Sequence, residues 1–255
     1  MNNALTICRK ELKSYFSSPI AYLLMTMYAV LFGFFFWNAV GYFVNLSFQA
    51  ALSGRSFPMD VNEMIVRPLL MNTSVIGLFL IPLISMRLFA EEKRSGTIEL
   101  LFTSPISDLE IIIGKWLAAL ILYACLLGIS LLNILFLFAY GNPDWRPMLV
   151  GYLGLLLQAG GLLAVGAFIS TTTRNQIIAG AVTFGACLLL WVLEWVGGYE
   201  TATWATVLGY LSVVRHFEPF SKGVIDSKDA VYFASLIFFG LFLTARSLES
   251  LRWRA

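Results

Sequence analysis

The sequence predicts an all-α polytopic membrane protein: six transmembrane helices preceded by an amphipathic helix at the membrane interface. Three observations predict it. Of 255 residues, 59% are hydrophobic and 13% charged, with a mean hydropathy of +0.80, whereas a soluble domain averages about 45–50% apolar and about 25% charged. Six segments hold the roughly 20 mostly apolar residues that a helix needs to cross about 30 Å of hydrocarbon at about 1.5 Å per residue. None of them alternates with the period of two that a membrane barrel imposes. This composition excludes a disordered chain and a soluble enzyme, and no basic cluster is dense enough for nucleic acid.

Residues 1–19 come first. Ala4, Leu5, Cys8, Leu12, Tyr15 and Phe16 recur at helical spacing, with Arg9, Lys10, Glu11 and Lys13 on the other face. That pattern predicts a helix lying in the headgroup layer, and Pro19 breaks it from the first span. The spans follow at Ile20–Val44, Met71–Ala90, Trp116–Tyr140, Met148–Ser170 and Ile177–Gly197, with a sixth from Ala230. Arg246 can snorkel to the headgroups and let the sixth run to residue 248, leaving 249–255 as a tail. The first span is too long for a signal-peptide core of about 7–15 residues and is read as retained.

Eleven of the 17 Lys and Arg residues fall on the side that an even number of spans gives to both termini, which predicts cytoplasmic termini. Two segments on the opposite side, Asn45–Leu70 and Gly198–Asp229, carry apolar residues at helical intervals. With Trp204 and Tyr210 they could lie at the outer interface or dip partly into it, and the alternative is a folded outer cap. Cys8, Cys125 and Cys187 have no metal or redox spacing and read as small apolar packing residues. Gly160 with Ala164, and Ala181 with Gly185, have the small-xxx-small spacing of closely packed membrane helices.

Catalytic motifs are absent. The chain has no G-x-x-x-x-G-K-[ST] phosphate loop, no H-E-x-x-H pair and no G-x-S-x-G elbow. One histidine, His216, excludes a multi-histidine metal site within one chain and reads as structural. Glu194 is the one acidic residue inside an expected span and so a candidate polar site. Its place between Trp191 and Trp195, near the outer end, also fits a boundary residue.

The loop Glu91–Lys115 is the most informative stretch. Charges carry the second span out of the membrane, Gly96 permits a sharp turn, and a short helix is expected from about Thr97 to Pro105. Ile98, Leu101 and Phe102 give that helix an apolar edge. Ser107 with Glu110 reads as a capping box opening the third span. A short, partly apolar helix held between two spans is suited to docking.

At this loop the sequence resembles the permease subunits of ABC-2 type transporters, most closely the gliding-motility-associated branch. The markers are the run Lys10–Pro19, the run Met86–Glu99 with its Glu91-Glu92-Lys93-Arg94-Ser95-Gly96-Thr97 core, and Gly114-Lys115. Thr173–Gln176 and His216-Phe217 through Gly223–Asp226 also match. The resemblance implies a half-transporter in the bacterial cytoplasmic membrane that forms the substrate pathway with a second permease subunit. It implies separate ABC ATPase subunits that bind ATP and Mg, no cofactor in this chain, and room for an accessory membrane protein with an extracytoplasmic domain. Glu91, Glu92 and Glu99 would orient or contact the ATPase, with Ile98, Leu101 and Phe102 filling its groove. Two readings from other classes stand beside it: a self-contained secondary carrier or channel, and a non-transporting membrane scaffold.

Overall fold

The computed structural model describes residues 2–53, 60–97, 106–141, 143–199 and 203–252, and no strand occurs among them. Among the described residues, six helices are long and apolar enough to cross a membrane, as the composition requires. Helix α1, Asn2–Ser17, ends in a bend at Ser18, and Pro19 opens α2, Pro19–Ser53. Proline is tolerated there because the first helical N–H has no intrahelical partner. Span one is therefore α2, and at about 1.5 Å per residue its 35 residues exceed the hydrocarbon thickness.

Span two begins with a π-turn, Asn62–Val66, and continues as α3, Arg67–Ser85, to a break at Met86–Phe89 and the short α4, Ala90–Ser95. Span three is α5, Asp108–Tyr140, and span four is α6, Trp145–Thr172. Span five is α7, Gln176–Tyr199. Two short helices follow, α8 at Thr203–Tyr210 and α9 at Val213–Ser221, before span six, α10, at Ser227–Arg252.

The described part of Asn45–Leu70 belongs to the extended ends of spans one and two. In Gly198–Asp229, by contrast, α9 buries Val213, His216, Phe217 and Phe220 against the spans. Phe217 and Phe220 reach Gly154, inside span four.

Spans two and four form the interior. Their most apolar windows are 67% and 61% buried, against 22% for spans one, five and six. Span six packs along span four, and α1 packs along span three. Both contacts depend on missing side chains. A Cβ on Gly240 would lie 2.7 Å from the carbonyl carbon of Ala164, and one on Gly114 would lie 2.7 Å from the carbonyl oxygen of Ala4. The two small-residue pairs thus differ: Gly160 and Ala164 meet Ile237 and Gly240 of span six, while Gly185 has open space beside it. Gly240→Leu is expected to destabilise the purified protein by about 1–3 kcal/mol or more, the usual range for overpacking. Gly185→Leu should leave its thermal midpoint in detergent unchanged. Equal midpoints for both variants would contradict the close approach of spans four and six.

Candidate coupling site

The end of the bundle that carries α1 and the end of span six is built around the break in span two. Pro82 lies inside α3, and the ladder stops after Met86 N–H donates to Pro82 O at 2.9 Å. Helix resumes at Ala90, leaving the buried N–H groups of Phe89 and Ala90 without helical partners. Ser170 of span four supplies one. Its Oγ accepts from both, each at 3.0 Å, and donates to Met86 O at 3.2 Å. One hydroxyl thus uses its proton and both lone pairs to stitch the break.

Beyond the break, α4 is tied down on two sides. Lys93 donates to the carbonyl oxygen of Thr171, at the end of span four. Lys115 of span three, 3% exposed, reaches Glu92 at 2.8 Å and Glu11 of α1 at 3.0 Å, with its ammonium 5.6 Å above the Phe89 ring. Three elements far apart in sequence converge on one cation. Gly114 explains why it can happen: α1 lies where a larger residue 114 would put its side chain.

The expected site residues fall as follows. Glu91 is exposed and pairs with Arg87 through two oxygens, at 2.8 and 3.1 Å. Glu92 is 13% exposed and holds Lys115, a placement that suits orienting this corner rather than meeting a partner. Gly96 has φ 72°, the left-handed conformation that ends α4 and that residues with a Cβ rarely adopt. Thr97 Oγ1 lies 2.8 Å from Ser95 Oγ. Ile98, Glu99, Leu101, Phe102 and Pro105 lie outside the described residues. The capping box that opens span three is present in full, with Ser107 and Glu110 bonding reciprocally.

At the opposite end, Glu194 Oε2 is buried without a hydrogen-bond partner, and Trp191 and Trp195 meet edge to face at 5.0 Å. Glu11, Lys115 and Ser170 were missed as site residues. Glu11 and Lys115 lie within stretches that carry the family resemblance, but nothing local distinguishes Ser170 from any small polar residue at a span end.

Spans one, two and five leave an open apolar groove of about 840 Å³, lined by Met27, Leu31, Phe79, Met86, Ile177 and Phe184 among others. Ala181 also lines it, which gives the second small-residue pair an outward setting.

A family model described as the ABC-2 family transporter protein matches residues 5–241. The probable multidrug ABC transporter permease YbhR of Escherichia coli (strain K12) is 25% identical over 173 residues, 65% of this chain and 44% of that relative. The protein of the same name from Escherichia coli O157:H7 gives the same figures. The chain therefore spans less than half the length of these curated relatives. Neither the family match nor these relatives support the gliding-motility branch.

Proposed function

This chain belongs to the ABC-2 family of transporter proteins, and we propose that it is a permease subunit driven by separate ATPase subunits through the loop between spans two and three. The observation that carries the reading is the socket around α4. A loop meant to transmit force needs a rigid root, and Ser170, Thr171 and Lys115 root this one in spans three and four. Thrust on residues 97–105 would then move spans two, three and four and α1 together, and so shift the bundle between states.

In this reading both termini are cytoplasmic, in a bacterial inner membrane, and ATP and Mg bind the partner ATPase. The Ile98, Leu101 and Phe102 edge meets that ATPase, and Glu91, Glu92 and Glu99 orient the contact. The unfilled groove at spans one, two and five is where a second permease subunit would pack. The similarity to a probable multidrug permease makes multidrug compounds the first substrates to assay.

The test is co-reconstitution with candidate ATPases encoded nearby. Replacing Ile98 and Leu101 with Asp should abolish complex formation and substrate-stimulated ATP hydrolysis while the bundle stays folded. Unchanged hydrolysis would overturn the docking role. Ion-gradient-driven flux through the chain without any ATPase would favour a carrier instead.

A further inference from the structure

Span six ends beside the start of span three, at the end of the bundle that carries α1 and α4. An open cleft of about 740 Å³ lies between the last turns of α10 and the first turn of α5. Leu109, Phe242 and Ala245 form its apolar part, and Asp108, Arg246, Glu249 and Arg252 its charged part. On α10 these residues recur at helical spacing on one face, while Thr244 and Leu248 are buried against the bundle. A cleft of this size falls in the range of small-molecule sites, about 300–1,000 Å³.

Depth sorts the lining. At about 1.5 Å per residue, Arg246 lies about 29 Å along α10 from Ser227, close to the thickness of the hydrocarbon. Phe242 is one turn deeper and 44% exposed, and Leu109 is 61% exposed. Glu249 follows one turn beyond Arg246, with Asp108 of α5 across the cleft. Followed outward, the order is apolar, cationic, then anionic. A diacyl lipid whose phosphate is followed by an ammonium has the same order from tail to head.

The charges can exchange partners. Arg246 Nη1 lies 2.8 Å from Glu249 Oε2, with its guanidinium 5.3 Å over the Phe242 ring. Both side chains are more than half exposed, and an exposed ion pair contributes little. A zwitterion that opens the pair returns a partner to each member, phosphate to Arg246 and ammonium to Glu249. Asp108 and Arg252 face each other at 3.8 Å, beyond hydrogen-bond range, which leaves the Asp108 carboxylate room for another donor. An anionic headgroup would match the arginines but would set its charge against two carboxylates.

We propose that this cleft binds one molecule of phosphatidylethanolamine. The phosphate takes the Arg246 fork, whose planar donors suit its oxygens. The primary ammonium donates to Glu249 and Asp108, and an acyl chain runs along Phe242 and Leu109. Choline has no N–H to give those carboxylates, and phosphatidylglycerol has no cation. The site rests on the membrane fold and not on the permease reading, so its test involves neither an ATPase nor transport.

The test is native mass spectrometry of the full chain released from nanodiscs containing equal parts of phosphatidylethanolamine, phosphatidylcholine and phosphatidylglycerol with matched acyl chains. The wild type should retain one phosphatidylethanolamine, at least about tenfold above either other lipid, the difference that one charge-assisted hydrogen bond makes. Arg246→Gln should lower that retention to the level of phosphatidylcholine. Asp108→Asn with Glu249→Gln keeps the arginines and removes the partners of the ammonium, so preference should move to phosphatidylglycerol. Retention of the three lipids in proportion to the mixture, or a preference unchanged in both variants, overturns the proposal. Should the variants fail to fold, the wild type decides by photo-crosslinking, with phosphatidylethanolamine that carries a photoreactive acyl chain. Label concentrated at Leu109 and at residues 242–245 sustains the site, and label spread evenly over the six spans overturns it.

Discussion

Lys115→Met is expected to destabilise the protein by about 3 kcal/mol and to release α1 from the bundle. The reason is the pair it leaves behind. Glu11 and Glu92 are 16% and 13% exposed, and both carboxylates sit within 3.0 Å of the same ammonium. Without it they face each other with little water to solvate them, and Glu92 Oε2 already lacks a hydrogen-bond partner. Breaking a buried ion pair by removing one partner costs about 3–5 kcal/mol, and the partial exposure of the carboxylates places this case at the low end. Thermal unfolding in detergent measures the loss, and protease sensitivity within residues 2–17 measures the release. The variant with Glu11→Gln, Lys115→Met and Glu92→Gln together should recover most of both, because neutral groups of similar shape remove the repulsion. A Lys115→Met protein with wild-type stability would show that the triad does not hold α1.

The elements that could be read from the sequence are those whose cause is local. Pro19, Gly96 and the Ser107–Glu110 box act within a turn of themselves, and each marks a boundary where the residues alone place one. The apolar runs identify six spans because the membrane sets their length. They do not fix where helices end. A helix continues wherever its hydrogen bonds are met, in lipid or in water, which is why α2 runs past Val44 to Ser53 and α10 past residue 248 to Arg252.

What could not be read is pairing at long range. Lys115 and Glu11 are 104 positions apart, and Ser170 and Phe89 are 81 apart. Neither partner differs, in its own neighbourhood, from an ordinary topological charge or a small residue at a span end. The same limit applies to His216. As a lone histidine in a mixed segment it reads as structural, and only its distances to Asp229 and Tyr210 show that it joins three helices.

Ser170→Ala should have the second large effect, concentrated on the break in span two. The substitution removes three hydrogen bonds and no packing beyond one oxygen, so the consequences are those of unsatisfied backbone. Phe89 is 1% exposed and Ala90 is 0% exposed, so water cannot replace the lost acceptor. Each unpaired buried N–H costs about 1–3 kcal/mol, and about 2 kcal/mol is expected overall once the turn relaxes. Relaxation has a limited repertoire. Pro82 O already accepts from Met86 N–H at 2.9 Å, and Leu88 N–H is already given to Ser85 O at 3.1 Å. The Phe89 and Ala90 amides should therefore exchange at least about tenfold faster, a factor that corresponds to about 1.4 kcal/mol of local opening. Ser170→Cys, whose sulfur accepts weakly, should fall between. If residues 86–90 exchange at the wild-type rate in Ser170→Ala, the stitch is not what holds the break. If they loosen, and ATP hydrolysis in the assembled transporter continues while transport falls, then the α4 root carries the force between them.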